Sequence, residues 1–181
     1  MKPSDFVCPS DHGQLVLENG VLRSTSSDKV YEIQDGIPVF SETRGYWSNV
    51  PKHTMHRVIN KSIETRDWRS VVKSQIPLYE RHISPLFRGD IHSFLAMNSE
   101  SVVLDAGSMW GGLTIPLSQR CKCIFALDQT WESLKYLSVR SDIDGIKNIV
   151  PVESSISRLP FKNEKFDLTI FNESSAELFK N

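Results

Sequence analysis

Between residues 6 and 40 the apolar positions fall in short runs, Gln14-Leu15-Val16-Leu17, Val21-Leu22, Val30-Tyr31-Glu32-Ile33 and Ile37-Pro38-Val39-Phe40. Glu18-Asn19-Gly20 and Asp35-Gly36 separate them. Asn-Gly and Asp-Gly tolerate positive φ, so this stretch predicts a small β module built of hairpins. Beyond it the spacing becomes helical, with Met55, Val58, Ile59 and Ile63, then Trp68, Val71, Val72 and Ile76 until Pro77 breaks the run. Ser84-Pro85 reads as the N-cap and first-turn proline of a further helix through Leu95.

From residue 101 strand and helix patterns alternate. Val102-Val103-Leu104 predicts a buried strand that stops at Asp105, and a turn with Gly107, Gly111 and Gly112 leads into a helical stretch over 113–119. Pro116 inside that stretch predicts a kink. A second strand ends at Asp128, a helix opening near Gln129 or Thr130 closes at Asp144-Gly145, a third strand covers 148–152 and a fourth runs from Lys165 to Asn172. Pro151 has no N–H to donate, which places the third strand at a sheet edge.

A strand that stops at a glycine-rich turn and passes into a helix presents backbone N–H groups and a positive dipole end. Two nucleotide chemistries compete for such a turn. A dinucleotide cradle needs glycines at 107, 109 and 112, and position 109 is Met. The carboxylate of Asp105 would repel a pyrophosphate and suits a cation, such as the ammonium and sulfonium of S-adenosylmethionine. Asp128, at the end of the neighbouring strand, can accept both hydroxyls of a ribose, which supports adenosine without separating the two chemistries. An ordinary tight strand-to-helix turn without a ligand would carry the same glycines.

Composition narrows the class. With 181 residues, 39% hydrophobic and 24% charged, the chain has room for one core and a small appended module. A net charge of −1 leaves no basic footprint for nucleic acid. Met1-Lys2-Pro3-Ser4-Asp5 lacks the apolar region of a signal peptide and no apolar run approaches membrane-spanning length, so cytoplasmic is the default. Three cysteines fit a reducing compartment. His53, His56, His82 and His92 are scattered without a metal or catalytic motif and read as surface residues.

Asp105, Gly107 and Gly111 resemble motif I of the class I S-adenosylmethionine-dependent methyltransferases, D-x-G-x-G-x-G, with Met109 at the middle glycine. Leu159-Pro160-Phe161 and Phe166-Asp167-Leu168 resemble that family's L-P-F and F-D-L blocks, with Ser155 in place of the usual adenine-binding Asp. The resemblance covers 102–171 and implies an α/β, Rossmann-like sheet of strand order 3-2-1-4, the third strand at the edge. It implies S-adenosylmethionine as cofactor, bound by Asp105, Ala106, Gly107, Ser108, Gly111, Asp128, Gln129, Ser155 and Ile156. Asn172, at the end of the fourth strand, is counted with them and is a candidate for facing the acceptor. Trp110-Gly111 and Tyr46-Trp47 are similar to bacterial members that modify surface glycans or small molecules, which favours such an acceptor. No residue reads as a general base.

Tyr31-Glu32-Ile33-Gln34-Asp35-Gly36-Ile37-Pro38-Val39-Phe40 resembles the closing phrase of a small zinc-ribbon family that activates methyltransferases. That family's four ligand positions hold Cys8, Asp11, Ser24 and Ser27, and serine is a poor zinc ligand. A degenerate ribbon without metal is expected, held by β-pairing and apolar contacts. The chain thus divides into a ribbon-like module at 1–42, a helical connector or lid at 43–100 and a truncated methyltransferase domain at 101–181. A class I sheet has seven strands and four are accounted for, which leaves the fourth strand as an apolar edge. A fragment of a longer enzyme is expected, with a homo-oligomer pairing its fourth strands as the runner-up. The competing functional reading is a catalytically inactive, methyltransferase-like binding module that acts through a partner chain.

Overall fold

The computed structural model describes residues 2–42, 45–83 and 95–171. The helix expected to start at Ser84, and Asn172, lie outside these described residues. Four antiparallel strands come first, β1 (Leu15–Glu18), β2 (Val21–Ser24), β3 (Val30–Gln34) and β4 (Ile37–Val39). Asn19 and Gly20 (φ 50° and 80°), then Asp35 and Gly36 (φ 51° and 80°), close the two tight hairpins in the left-handed region, as their residue types predict.

Three helices follow, α1 (Lys52–Thr65), α2 (Trp68–Gln75) and the short α3 (Glu80–Ile83). The second half alternates β5 (Val102–Ala106), α4 (Thr114–Ser118), β6 (Cys123–Asp128), α5 (Trp131–Ile143), β7 (Ile149–Glu153) and β8 (Leu168–Phe171). These last four strands are parallel and lie in the order β7-β6-β5-β8, the 3-2-1-4 order expected. Among the described residues the sheet has eight strands, β1-β2-β3-β4-β7-β6-β5-β8.

The third strand of the parallel set is not a free edge, because β4 pairs with it in parallel at Val39 and Glu153. The Phe40 N–H donates to the Glu153 carbonyl at 2.8 Å. Backbone groups alternate sides along a strand, so the nitrogen of Pro151 faces the same way two residues earlier, before the pairing begins. Its missing N–H therefore forfeits no ladder bond, and the proline argument holds locally although the strand has a neighbour. Phe6 and Phe40, which flank the N-terminal strands, pack with Phe125 and Phe161 in one aromatic core, ring centroids 5.5–6.2 Å apart where Phe6 meets the other three.

α5 is covered on both sides, which explains why its sequence is not strongly amphipathic. Leu134 and Leu137 face the sheet with Ile37 and Ala126, while Tyr136 and Val139 pack against Met55, Val58, Trp68 and Val72 of the connector helices. Glu132 in the first turn of α5 accepts from Lys52 at 2.8 Å and from His56 at 3.3 Å. At the other end Arg69 grips Asp144 with two bonds of 2.8 and 3.0 Å. Arg140 is fully buried, donates to the carbonyls of Trp110 and Ile83, and lays its guanidinium 4.1 Å over the Trp68 ring.

α4 has five residues with Pro116 at its third position. The amides on either side, Ile115 and Leu117, bond the carbonyls of Gly111 and Leu113 at 3.1 Å each, so the proline leaves out the bond to Gly112 between them. The positions of Cys8, Asp11, Ser24 and Ser27 gather around one carboxylate rather than a metal. Bonds from Ser27, Cys8 and the Gly13 amide hold Asp11 well below the usual carboxylate range, and Ser24 lies 3.4 Å away. Among the described residues no group of three or more His, Cys, Asp or Glu could hold a metal ion. Among them, too, no helix is long and apolar enough to cross a membrane.

Candidate functional site

β5 and β6 pair with Asp105 beside Ala126 and Ala106 beside Leu127. The turn after β5 folds across the end of β6, where the N–H groups of Gly107 and Ser108 both donate to the Leu127 carbonyl, at 2.8 and 3.0 Å. Met109 follows with φ 48°, and its N–H donates to Asp128 Oδ2 at 2.9 Å. The Gly111 N–H donates to Ser108 at 2.9 Å. The turn amides expected to be bare are therefore engaged, and a five-residue α4 carries little dipole. This is no cradle for a pyrophosphate. Gly111 serves packing, since a Cβ there would meet Leu137 Cδ1 at 2.2 Å.

Asp128 is held on both oxygens, Oδ1 by the Thr130 N–H at 2.8 Å and Oδ2 by Met109. Burial pushes its pKa up, and these amide bonds oppose the shift without cancelling it. Each oxygen keeps acceptor capacity beyond the bond it already makes. The carboxylate lines a pocket of about 270 Å³ with Trp47, Gly107, Met109, Leu127, Gln129, Ser154 and Ile156. The pocket sits at the C-terminal ends of the parallel strands, where α/β sheets hold ligands. Ser154 reaches it because its N–H donates to the Asp128 carbonyl at 3.0 Å, drawing the segment after β7 against β6.

Of the residues singled out from the sequence, Gly107, Asp128, Gln129 and Ile156 come together around this pocket. Ser155 adjoins it, accepting from Gln129 Nε2 at 3.3 Å and bonding Ser157 at 2.8 Å. Asp105, Ala106, Ser108 and Gly111 are buried behind the turn and do not line it. Asp105 is 0% exposed and accepts from the Thr114 hydroxyl at 2.6 Å, at the first residue of α4. Asn172 lies outside the described residues.

Trp47, Met109, Leu127 and Ser154 line the pocket without having been singled out for it. Leu127 and Ser154 are one residue from Asp128 and Ser155, so adjacency was their signal. Met109, 42% exposed, occupies the wall where the motif's middle glycine would leave space. Trp47 comes from a distant part of the chain, and the Tyr46-Trp47 pair that marked it pointed to an acceptor and not to this pocket.

Residues 103–181 match the model of a family described as a methyltransferase domain. No curated protein matches the chain. Among solved structures, an S-adenosyl-L-methionine-dependent methyltransferase of Methanococcus maripaludis is similar at 18% identity over 76% of this chain and 57% of that one, with a TM-score of 0.50. The YcgJ protein of Bacillus subtilis is 23% identical over 46% of this chain and 36% of its own, with a TM-score of 0.45. A methyltransferase of Streptococcus mutans in complex with S-adenosylhomocysteine is 24% identical over 49% and 51%, with a TM-score of 0.41. The chain spans less than two thirds of each of these proteins. Its second half has the Rossmann-like fold of the class I methyltransferases. By sequence, that same half is similar to the methyltransferase-domain family.

Proposed function

We propose that the chain holds S-adenosylmethionine in the pocket at the ends of β5, β6 and β7 and serves methyl transfer to a small-molecule or glycan acceptor. The observation that carries this reading is the convergence of Gly107, Asp128, Gln129 and Ile156 on one pocket. The methyltransferase-domain match over 103–181 supports it. The donor set fits the cofactor. Leu127, Ile156 and Trp47 offer apolar surface to a purine, and the pinned Asp128 carboxylate can accept from two vicinal hydroxyls. Gln129 and Ser155 place an amide and a hydroxyl together at the rim, suited to the polar edge of a base. Gly107 leaves the turn without a side chain where a ligand passes it.

When bound, the cofactor supplies a methyl group on a cationic sulfonium. The chain's own contribution is orientation and exclusion of water, which can account for a large part of such a barrier. Among the described residues Asp128 is the titratable side chain lining the pocket, and with each oxygen steadied by an amide and open to a ligand hydroxyl it acts as an anchor and not as a base. Residues 1–42 read as a degenerate ribbon that extends the sheet, and 43–100 as a connector that brings Trp47 to the pocket.

Isothermal titration with S-adenosylmethionine and S-adenosylhomocysteine tests the assignment. Saturable heat with both is expected, together with an upward shift in melting temperature. No heat and no thermal shift at millimolar ligand would overturn it and favour the inactive binding module, a reading to which the sealed Asp105 already lends weight.

A further inference from the structure

Trp47 combines an exposed ring with a fixed backbone. It is 66% exposed, whereas Trp68 and Trp110 are buried at 5% and 3%. Its N–H donates to Thr130 Oγ1 at 3.2 Å, and the Thr130 hydroxyl lies 3.4 Å from its carbonyl. Thr130 is itself fully buried, and its N–H donates to Asp128 Oδ1 at 2.8 Å. One buried threonine therefore ties the tryptophan backbone to the carboxylate of the pocket. A Cβ at Gly45 would fall 2.5 Å from Trp47 Nε1, so glycine at that position leaves room for the indole to fold back. A large apolar ring open to water has free energy to gain from a flat partner, and its main chain is already ordered to receive one.

We propose that Trp47 is a ligand-binding residue that closes its ring over the adenosyl part of the ligand. This rests on the reading of the pocket as an S-adenosylmethionine site. The tether runs to Asp128 and Thr130, and Gln129, Ser154 and Ile156 line the same pocket, all on the β6–β7 side. Stacking of a base on an aromatic ring is sequence-tolerant and strong, so Trp47 also sets a preference for ligands that carry a planar base.

The test compares the wild-type chain with Trp47→Ala and Trp47→Phe, titrated with S-adenosylmethionine, S-adenosylhomocysteine and methylthioadenosine. Trp47→Ala is expected to weaken S-adenosylhomocysteine and methylthioadenosine by the same factor, roughly tenfold to a hundredfold. Trp47→Phe should recover most of that loss. Ligand should shift the tryptophan emission of the wild type and leave Trp47→Phe nearly unchanged. Equal affinity in wild type and Trp47→Ala, with unchanged circular dichroism, would overturn this inference alone. A loss confined to S-adenosylmethionine would place the ring at the sulfonium and overturn it too. A loss that spares methylthioadenosine would place the ring at the amino-acid end, and the inference would fall equally. Absence of binding by the wild-type chain would remove the proposed function and this inference together.

Discussion

The ends of β5 and β6 carry the same residue in two environments. Asp105 is the penultimate residue of its strand and pairs beside Ala126, whereas Asp128 is the last residue of β6 and stands two positions further along. The turn of Gly107 and Ser108 folds onto the Leu127 carbonyl between those levels, so it roofs one carboxylate and leaves the other facing the pocket. Asp105 shares a strand face with Val103, which packs with Leu113 and Leu117, and its oxygen meets Thr114 there. Depth along the strand relative to the turn decides the role of each acid. Residue type alone does not.

The largest break in this contrast should come from Asp128→Ala. It removes the acceptor for two amides and for the ligand hydroxyls, and affinity for S-adenosylhomocysteine is expected to fall roughly a hundredfold, about 3 kcal/mol by titration calorimetry. The pH dependence sharpens the point. Burial raises the Asp128 pKa, so protonation should weaken binding as pH falls through a range above that of an ordinary carboxylate, while Asp128→Asn binds weakly with a flat profile. Linkage gives the empty fold the opposite sign. A folded-state pKa above the unfolded value means that this residue alone adds stability as pH falls, so acidification lowers affinity without lowering its contribution to stability.

Asp105→Ala should reverse the pattern. Loss of the buried acceptor of Thr114 is expected to lower unfolding free energy by about 2–3 kcal/mol in thermal or urea melts, with the folded protein's affinity within a few-fold of wild type. Equal losses of affinity for the two acids would erase the distinction between them. The smallest effect is expected at Met109, whose left-handed φ of 48° suits glycine better. Met109→Gly should gain at most about 1 kcal/mol in stability, read as a small rise in melting temperature, because relief of strain is offset by the entropy of an unfolded glycine.

Much of the parallel half was legible because its signals are local. The apolar run before Asp105, the close of β6 at Asp128 and the Phe166-Asp167-Leu168 block each mark an element within a few residues, and the Asn-Gly and Asp-Gly pairs fix both hairpins in the same way. Pairing of Val39 with Glu153 joins distant parts of the chain and has no local signature, so Pro151 pointed to an edge that β4 partly covers. The burial of Asp105 behind the turn has a related reason, since period and spacing locate a strand end but not the side on which the following turn closes. The engaged amides of Gly107, Ser108 and Met109 depend on the Leu127 carbonyl and the Asp128 side chain, partners that a motif does not display.

The joint at Glu153 reaches further than the sheet diagram suggests. Its carbonyl receives Phe40, its side chain lies 3.3 Å from the Ser41 amide, and the next residue, Ser154, is a wall of the pocket. Fraying of the N-terminal meander would thus loosen one side of the binding cavity, and occupancy of the cavity would slow amide exchange in strands that never touch the ligand.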